Sequence, residues 1–286
     1  MPEVVMIDGG LIEPTLATIS LRDRSVGHGD SVFEVVRAYR GRPFALEEHL
    51  GRLQRSAQLV GRVFPCSVGR LAAEVTTSLR ESALDDAHIR ILLTRGEGRD
   101  GLLLDGVRGG RRVVWVRPLP DLSSTLYERG VRACRVFDDV RGLAAQLRRA
   151  KTGNYLDRVV ALDRARGQGF DEVLLTDSDD CVWEASAANV FALWGRTLVT
   201  PPESGPILAG VTRAKLLDLA REGSMAVEER KLQWTELLTA DEVFISSTIR
   251  EVVSVVEIDD HVVGTGTPGR VAGLLRAALR SLAGAA

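Results

Sequence analysis

The sequence predicts a mixed α/β (α+β) fold in two lobes, a smaller N-terminal α/β lobe over residues 1–117 and a larger, β-rich C-terminal lobe over 126–286. Three observations predict it. Strand-like and helix-like patterns alternate from end to end. A chain of 286 residues exceeds a minimal domain and suits two of roughly 100 to 170 residues. The stretch "PLPDLSST" has the proline and serine content of a connector, which places the linker at 118–125.

In chain order, "EVVMID" and "SVFEVVRAYRGRPFAL" read as strands, the second broken by a turn at "YRGRP". "EEHLGRLQRSAQLVG" sets Leu50, Leu53, Ala57 and Val60 at helical spacing, with acids at its start and Gly61 at its end. A second helix is expected from Val68 to about Ser82. "AHIRILLTRG" and "RRVVWVRPL" are β-branched and apolar runs around a glycine-rich loop, hence neighbouring strands. Beyond the linker, "VRACRVFDDV", "DEVLLTD", "CVWEA", "NVFALWGRTLVT", "DEVFISST" and "VVSVVEIDDHVVG" read as strands. "YLDRVVALDRARGQGF", "GVTRAKLLDLAREG" and "GRVAGLLRAALRSLAG" read as helices.

Composition excludes several function classes. A net charge of −2 with acids and bases interspersed carries no nucleic-acid footprint. No stretch approaches the roughly 20 apolar residues that cross a bilayer, and the opening "MPEVVMIDGGLIEP" is unlike a signal peptide. Cys66, Cys134 and Cys181 are odd in number and far apart, which argues against a disulfide framework or a metal site and for a reducing cytoplasm.

Lysine occurs only at Lys151, Lys215 and Lys231, so arginine fills the other 34 of 37 basic positions. Arginine keeps its proton near neutral pH, whereas a lysine of lowered pKa is an amine nucleophile. Lys151 follows Arg148 and Arg149 in "LRRAKTGNYLDRVV", and neighbouring positive charge disfavours its protonated form. The alternative, commoner for a lysine, is a solvated side chain at a helix start. In "CVWEASAANVF" alternation puts Val182, Glu184 and Ser186 on one face. On a buried side Glu184 needs a cationic or protonated partner, such as a protonated pyridine nitrogen; on an edge strand it would simply face water. "ILAGVTRAKLL" opens a helix directly after Gly210, with Val211 and Thr212 in the first turn. That is either an anion cup or ordinary capping. "FISST" ends a strand in hydroxyls, Ser247 and Thr248 among them, which either add donors to the same anion or satisfy their own turn.

A lysine amine, a pyridine-directed acid and two phosphate-binding elements are what pyridoxal phosphate requires. In this order they resemble the class IV, or fold-type IV, aminotransferase family, which includes branched-chain aminotransferases, D-amino-acid aminotransferases and aminodeoxychorismate lyases. The resemblance runs through "DRSVGHGDSVFEVVRAYRGRPFALEEHLGRL", "KTGNYLDRV", "DEVLLTD", "VWEASAANVF", "GPILAGVTR" and "DEVFISST". It implies that Lys151 anchors pyridoxal phosphate covalently and shuttles a proton, and that Glu184 keeps the ring nitrogen protonated. It further implies that Arg52 of "HLGRL" pairs with the phosphate, aided by Val211, Thr212 and Ser247 or Thr248, while Tyr155 bonds the ring hydroxyl. The partners it implies are an amino acid, a 2-oxo acid and a second copy of the chain.

The substrate depends on the first lobe. In "FEVVRAY" valine follows the glutamate, as in the D-amino-acid enzymes; branched-chain enzymes typically show glycine there and the lyases threonine. The D-amino-acid pattern also places an arginine and a histidine two residues apart, and here Arg95 is followed by Glu97. A different carboxylate grip is therefore expected. Arg24, Arg90, Arg95 and Arg99 are its candidate cations, with His28 and Phe33 lining the pocket. Strand alternation sets Arg90 and Arg95 on opposite faces. The expected activity is a transaminase with a D-amino-acid donor favoured over a branched-chain L-amino acid. Aminodeoxychorismate lyase is the rival reaction, supported by the loop "TRGEGRDGL", and a phosphate-binding scaffold is the non-catalytic reading.

Overall fold

A computed structural model describes residues 3–62, 64–98 and 101–285. They divide into two compact units, Met1–Pro120 with Ala150–Asn154, and Asp121–Arg149 with Tyr155–Ala286.

The first unit contains β1 (Val4–Ile7), β2 (Gly10–Ile12), α1 (Arg24–His28), β3 (Ser31–Tyr39), β4 (Arg42–Pro43), α2 (Leu46–Leu59), α3 (Val68–Ser82), β5 (Ala87–Thr94) and β6 (Arg112–Pro118). The strands form one sheet in the order β2-β1-β6-β5-β3-β4. β5 pairs antiparallel with both β3 and β6, so the two runs flanking the glycine-rich loop are neighbours. Period-2 alternation sends Val32, Val36 and Ala38, with Ile89 and Ile91 opposite, to one face. There they pack against Leu50, Leu53 and Ala57 of α2 and Leu71, Val75 and Leu79 of α3. Both helices carry one apolar stripe. Ser67 caps α3 by accepting from Arg70 N–H at 3.2 Å.

β4 covers only the C-terminal end of β3, at Ala38 and Tyr39, and the segment around Lys151 runs along the remaining edge. Phe33 N–H donates to Lys151 C=O at 2.9 Å and Gly153 N–H to Ser31 C=O at 2.9 Å. A sheet edge left open exposes a row of unpaired backbone groups. Pairing with that edge places Ala150–Asn154 in the first unit, although the sequence reading groups it with the C-terminal lobe. Glycine suits position 153, since a Cβ there would lie 2.4 Å from Ser31 Oγ and 3.2 Å from Gly29 C=O, and one of them would have to shift.

The second unit begins with α4 (Thr125–Arg129), β7 (Val131–Phe137), α5 (Gly142–Arg148), α6 (Leu156–Gly167), β8 (Glu172–Thr176), β9 (Cys181–Ala185), β10 (Asn189–Trp194) and β11 (Thr197–Thr200). It continues with α7 (Val211–Glu222), β12 (Ala226–Glu229), β13 (Leu232–Gln233), α8 (Trp234–Leu237), β14 (Glu242–Ser247), β15 (Glu251–Ile258), β16 (His261–Val262) and α9 (Arg270–Leu282). The strand order is β12-β11-β10-β14-β15-β7-β8-β9-β13, and a further pairing of β9 with β10 closes six of these strands on themselves. That closing pair is Asn189 opposite Glu184. Val131, Leu174, Val182, Val190, Ile245 and Val253 fill the core. Near-continuous apolar strands are what burial on both faces demands.

Candidate active site

In the first unit the site is built around β3. Lys151 is fixed by its backbone: its N–H donates to Ser56 Oγ of α2 at 3.0 Å and its carbonyl accepts from Phe33. Its Nζ lies 4.7 Å from the centroid of the Phe33 ring. The guanidinium of Arg90, on β5, lies 4.0 Å from the same ring. Phe33 and Arg90 share a face because Phe33 registers with Leu92 and Val35 with Arg90. The amine, the guanidinium and the residue after Glu34 are thus grouped by strand register.

Glu34 points the other way, into the helix-covered core, and is fully buried. Arg52 meets it with two bonds, Nε to Oε1 at 2.6 Å and Nη2 to Oε2 at 2.8 Å, and His49 Nδ1 lies 2.9 Å from Oε2. Burial alone would push the Glu34 carboxyl up, but the Arg52 charge, with hydrogen bonds from Arg52 and His49, outweighs it and holds the group at about 2. Burial pushes the His49 imidazole down against its bond to Glu34, so the ring is neutral at pH 7 and donates Nδ1–H. The bidentate carboxylate partner of Arg52 is therefore Glu34.

Arg24 and Arg95 converge on a different acid. Arg95 Nε donates to Asp30 at 2.6 Å and its Nη2 to Val60 C=O at 2.7 Å. Arg24 Nε donates to Asp30 at 3.1 Å and its Nη1 to Gly101 C=O at 2.8 Å. β5 ends at Thr94, so Arg95 lies past the strand and the alternation expected between it and Arg90 does not apply. His28 is the exposed last residue of α1, and Arg99 lies outside the described residues.

In the second unit Asn189 is the hub. As the first residue of β10 it registers with Glu184 on one side and with Ser246, next to Ser247, on the other. Its Nδ2 donates to Leu208 C=O at 3.0 Å and reaches Glu184 Oε1 at 3.4 Å. A Cβ on Gly210 would lie 2.0 Å from Asn189 Oδ1, so only glycine lets the start of α7 pack there. Glu184, 4% exposed, accepts from Leu208 N–H at 2.7 Å and from Arg158 Nη2 at 2.9 Å. Tyr155 opens α6, its ring 5.6 Å from the Arg158 guanidinium. Val211 and Thr212 are buried in the first turn of α7, whose N-cap Gly210 supplies no capping side chain. Ser247 and Thr248 are half-buried at the end of β14.

The model of the family described as "Amino-transferase class IV" matches residues 31–258. The chain belongs to the class IV aminotransferase family. The aminotransferase is 35% identical over 269 residues, 93% of this chain and 92% of the relative, to a Methanocaldococcus jannaschii protein provisionally named a branched-chain-amino-acid aminotransferase. It is 30% identical over 278 residues to the D-alanine aminotransferase of Bacillus licheniformis, covering 97% and 96% of the two chains. The crystal structure of the branched-chain aminotransferase of Thermoproteus uzoniensis with norvaline superposes with a TM-score of 0.90 at 27% identity, covering 99% of this chain and 95% of that one.

Class IV aminotransferases are pyridoxal phosphate enzymes, and the residues of this aminotransferase fit that group. Ionised Glu184 has about four lone-pair sites and three donors at them, which leaves room for a protonated ring nitrogen. The twelve-residue α7 presents first-turn amides with no side-chain cap, and the hydroxyl of Ser246, which registers with Asn189, is buried with no hydrogen-bond partner among the described residues. Sequence reasoning missed Glu34, His49, Arg158 and Asn189. For Glu34 a signal existed: it sits on the alternating face of Val32, Val36 and Ala38, where a carboxylate requires a cation.

Proposed function

We propose that the enzyme moves an amino group between an amino acid and a 2-oxo acid, with a D-amino acid as the favoured donor, and that Arg90 grips the substrate carboxylate. The observation that carries this reading is the shared ring: Lys151 Nζ and the Arg90 guanidinium lie 4.7 and 4.0 Å from the centroid of Phe33. An amine and a guanidinium that both contact one ring suit a substrate with a carboxylate next to its reacting carbon. Arg24 and Arg95 pair with Asp30, whereas Arg90 lies at the same ring as Lys151. Val35 registers with Arg90, so the residue that distinguishes the D-amino-acid pattern adjoins the carboxylate grip. The D-alanine aminotransferase relatives support the same preference.

Lys151, Glu184, Tyr155, Arg52, Val211, Thr212, Ser247 and Thr248 are the residues that would hold the cofactor. When bound, pyridoxal phosphate withdraws electrons from the substrate α-carbon and so makes its proton labile. Lys151 Nζ takes that proton and returns it, the general-base work of an amine held in place by its own backbone. Glu184, buried and fixed by Arg158 and Leu208, keeps a proton on the ring nitrogen. Arg52, oriented by Glu34, is the guanidinium that the family resemblance assigns to the phosphate. Leu143, Leu156 and Val159 are 70%, 75% and 59% exposed on the second unit, which supports the homodimer the family resemblance implies; light scattering on the purified protein checks it.

Half-reaction spectroscopy tests the donor. D-alanine is expected to convert the cofactor faster than L-leucine. Conversion by L-leucine alone would favour the branched-chain reading, and pyruvate release from aminodeoxychorismate without amino transfer would favour the lyase. Arg90→Leu is expected to raise KM for the amino acid about 10- to 100-fold, the worth of a charged hydrogen-bonded contact, with a smaller change in kcat. Glu184→Gln is expected to lower kcat about 10²- to 10³-fold while the protein still binds cofactor, read by steady-state kinetics and absorbance.

A further inference from the structure

Glu172, at the start of β8, is a fully buried carboxylate that the reading above does not use. Its Oε1 accepts from Val173 N–H at 3.0 Å and from Ser186 N–H at 3.1 Å. Its Oε2 lies 2.8 Å from Arg250 Nη2, an ion pair by distance although off the line of a hydrogen bond. Ser186 is two residues beyond Glu184 in the loop from β9 to β10, and Arg250 is two beyond Thr248 in the turn from β14 to β15. Other groups fix both backbones: Ser186 C=O accepts from Arg158 at 3.0 Å, and Arg250 C=O from Tyr127 Oη at 3.2 Å.

We propose that Glu172 is a positioning residue that sets the spacing between the two ends of the cofactor cradle in this unit, the Glu184 end and the Ser247–Thr248 end. The inference rests on the reading of those residues as contacts to the ring nitrogen and the phosphate. A rigid ligand with a base at one end and an anion at the other is held well only by a cradle whose ends stay at its own length. A carboxylate in the core, binding a backbone amide of one loop and a guanidinium of the other, provides such a brace, and burying it without these partners would be costly.

The test titrates the apo-protein with pyridoxal phosphate and with pyridoxal, which lacks the phosphate, and follows thermal unfolding of each apo-form. Glu172→Gln and Arg250→Gln are each expected to raise the dissociation constant for pyridoxal phosphate about tenfold. The double variant is expected to be no weaker than the worse single, since both act through one contact, and pyridoxal affinity should change less than threefold. The Arg250 side chain is 25% exposed, so Arg250→Gln keeps the test open where Glu172→Gln fails to fold. Equal losses for the two ligands, additive effects, or unchanged pyridoxal phosphate affinity would overturn the proposal. Wild-type protein that takes up no pyridoxal phosphate would instead sink the cofactor reading itself.

Discussion

Lys151→Ala is expected to abolish the visible absorbance of covalently held cofactor and to lower turnover by at least about 10³-fold. The absorbance goes because lysine supplies the only amine at that position, and arginine, which fills most other basic sites, cannot take its place. Most of the rate goes because positioned proton transfer contributes about 10²- to 10⁴-fold by itself. Non-covalent binding should persist through Glu184 and the start of α7, so the variant should still retain pyridoxal phosphate on dialysis more firmly than a Lys151→Ala/Glu184→Gln double variant. Undiminished absorbance at visible wavelengths in Lys151→Ala would show that another amine is the anchor.

Arg52→Met is expected to be the most destabilising single change in the first unit, by about 3–5 kcal/mol, because it leaves Glu34 as an uncompensated charge in the core. That corresponds to a fall in Tm of roughly 10 °C. Arg52→Met with Glu34→Leu should recover much of the loss, since it removes both charges together. The pair also fixes a pH dependence. The folded pKa of Glu34, about 2, lies below its ordinary 4.5, so its contribution is complete above pH 4.5 and is lost as pH falls towards 2. The amount involved is about 3 kcal/mol. His49 is depressed as well, which adds a loss of stability as pH falls below its ordinary 6.5. Thermal scans from pH 7 to pH 2 should show a steeper decline for wild type than for the double variant; parallel curves would remove Glu34 as the cause.

Much of the element list was legible because local periodicity determines it. The alternation in "SVFEVVRAY" became β3, the spacing of Leu50, Leu53 and Ala57 became α2, and the run from Val68 to Ser82 became α3. The short elements α1, α4, β12, β13 and α8 escaped, since two to five residues are too few to display a period. The role proposed for Lys151 comes from composition and motif order rather than from its immediate neighbours.

What the sequence determined by itself is the family and the residue types proposed to carry its chemistry: a rare lysine, an acid in a strand, a glycine before a helix, hydroxyls at a strand end. Partnership was decided by the tertiary structure. Glu34 meets Arg52 across 18 residues of chain, Asn189 joins Glu184 to Ser246 through two separate strand pairings, and Arg95 is drawn to Asp30 while Arg90 stays over Phe33. The physical reason is that periodicity tells which face a side chain takes, whereas register and edge pairing, set by the packing of distant segments, tell what waits on that face.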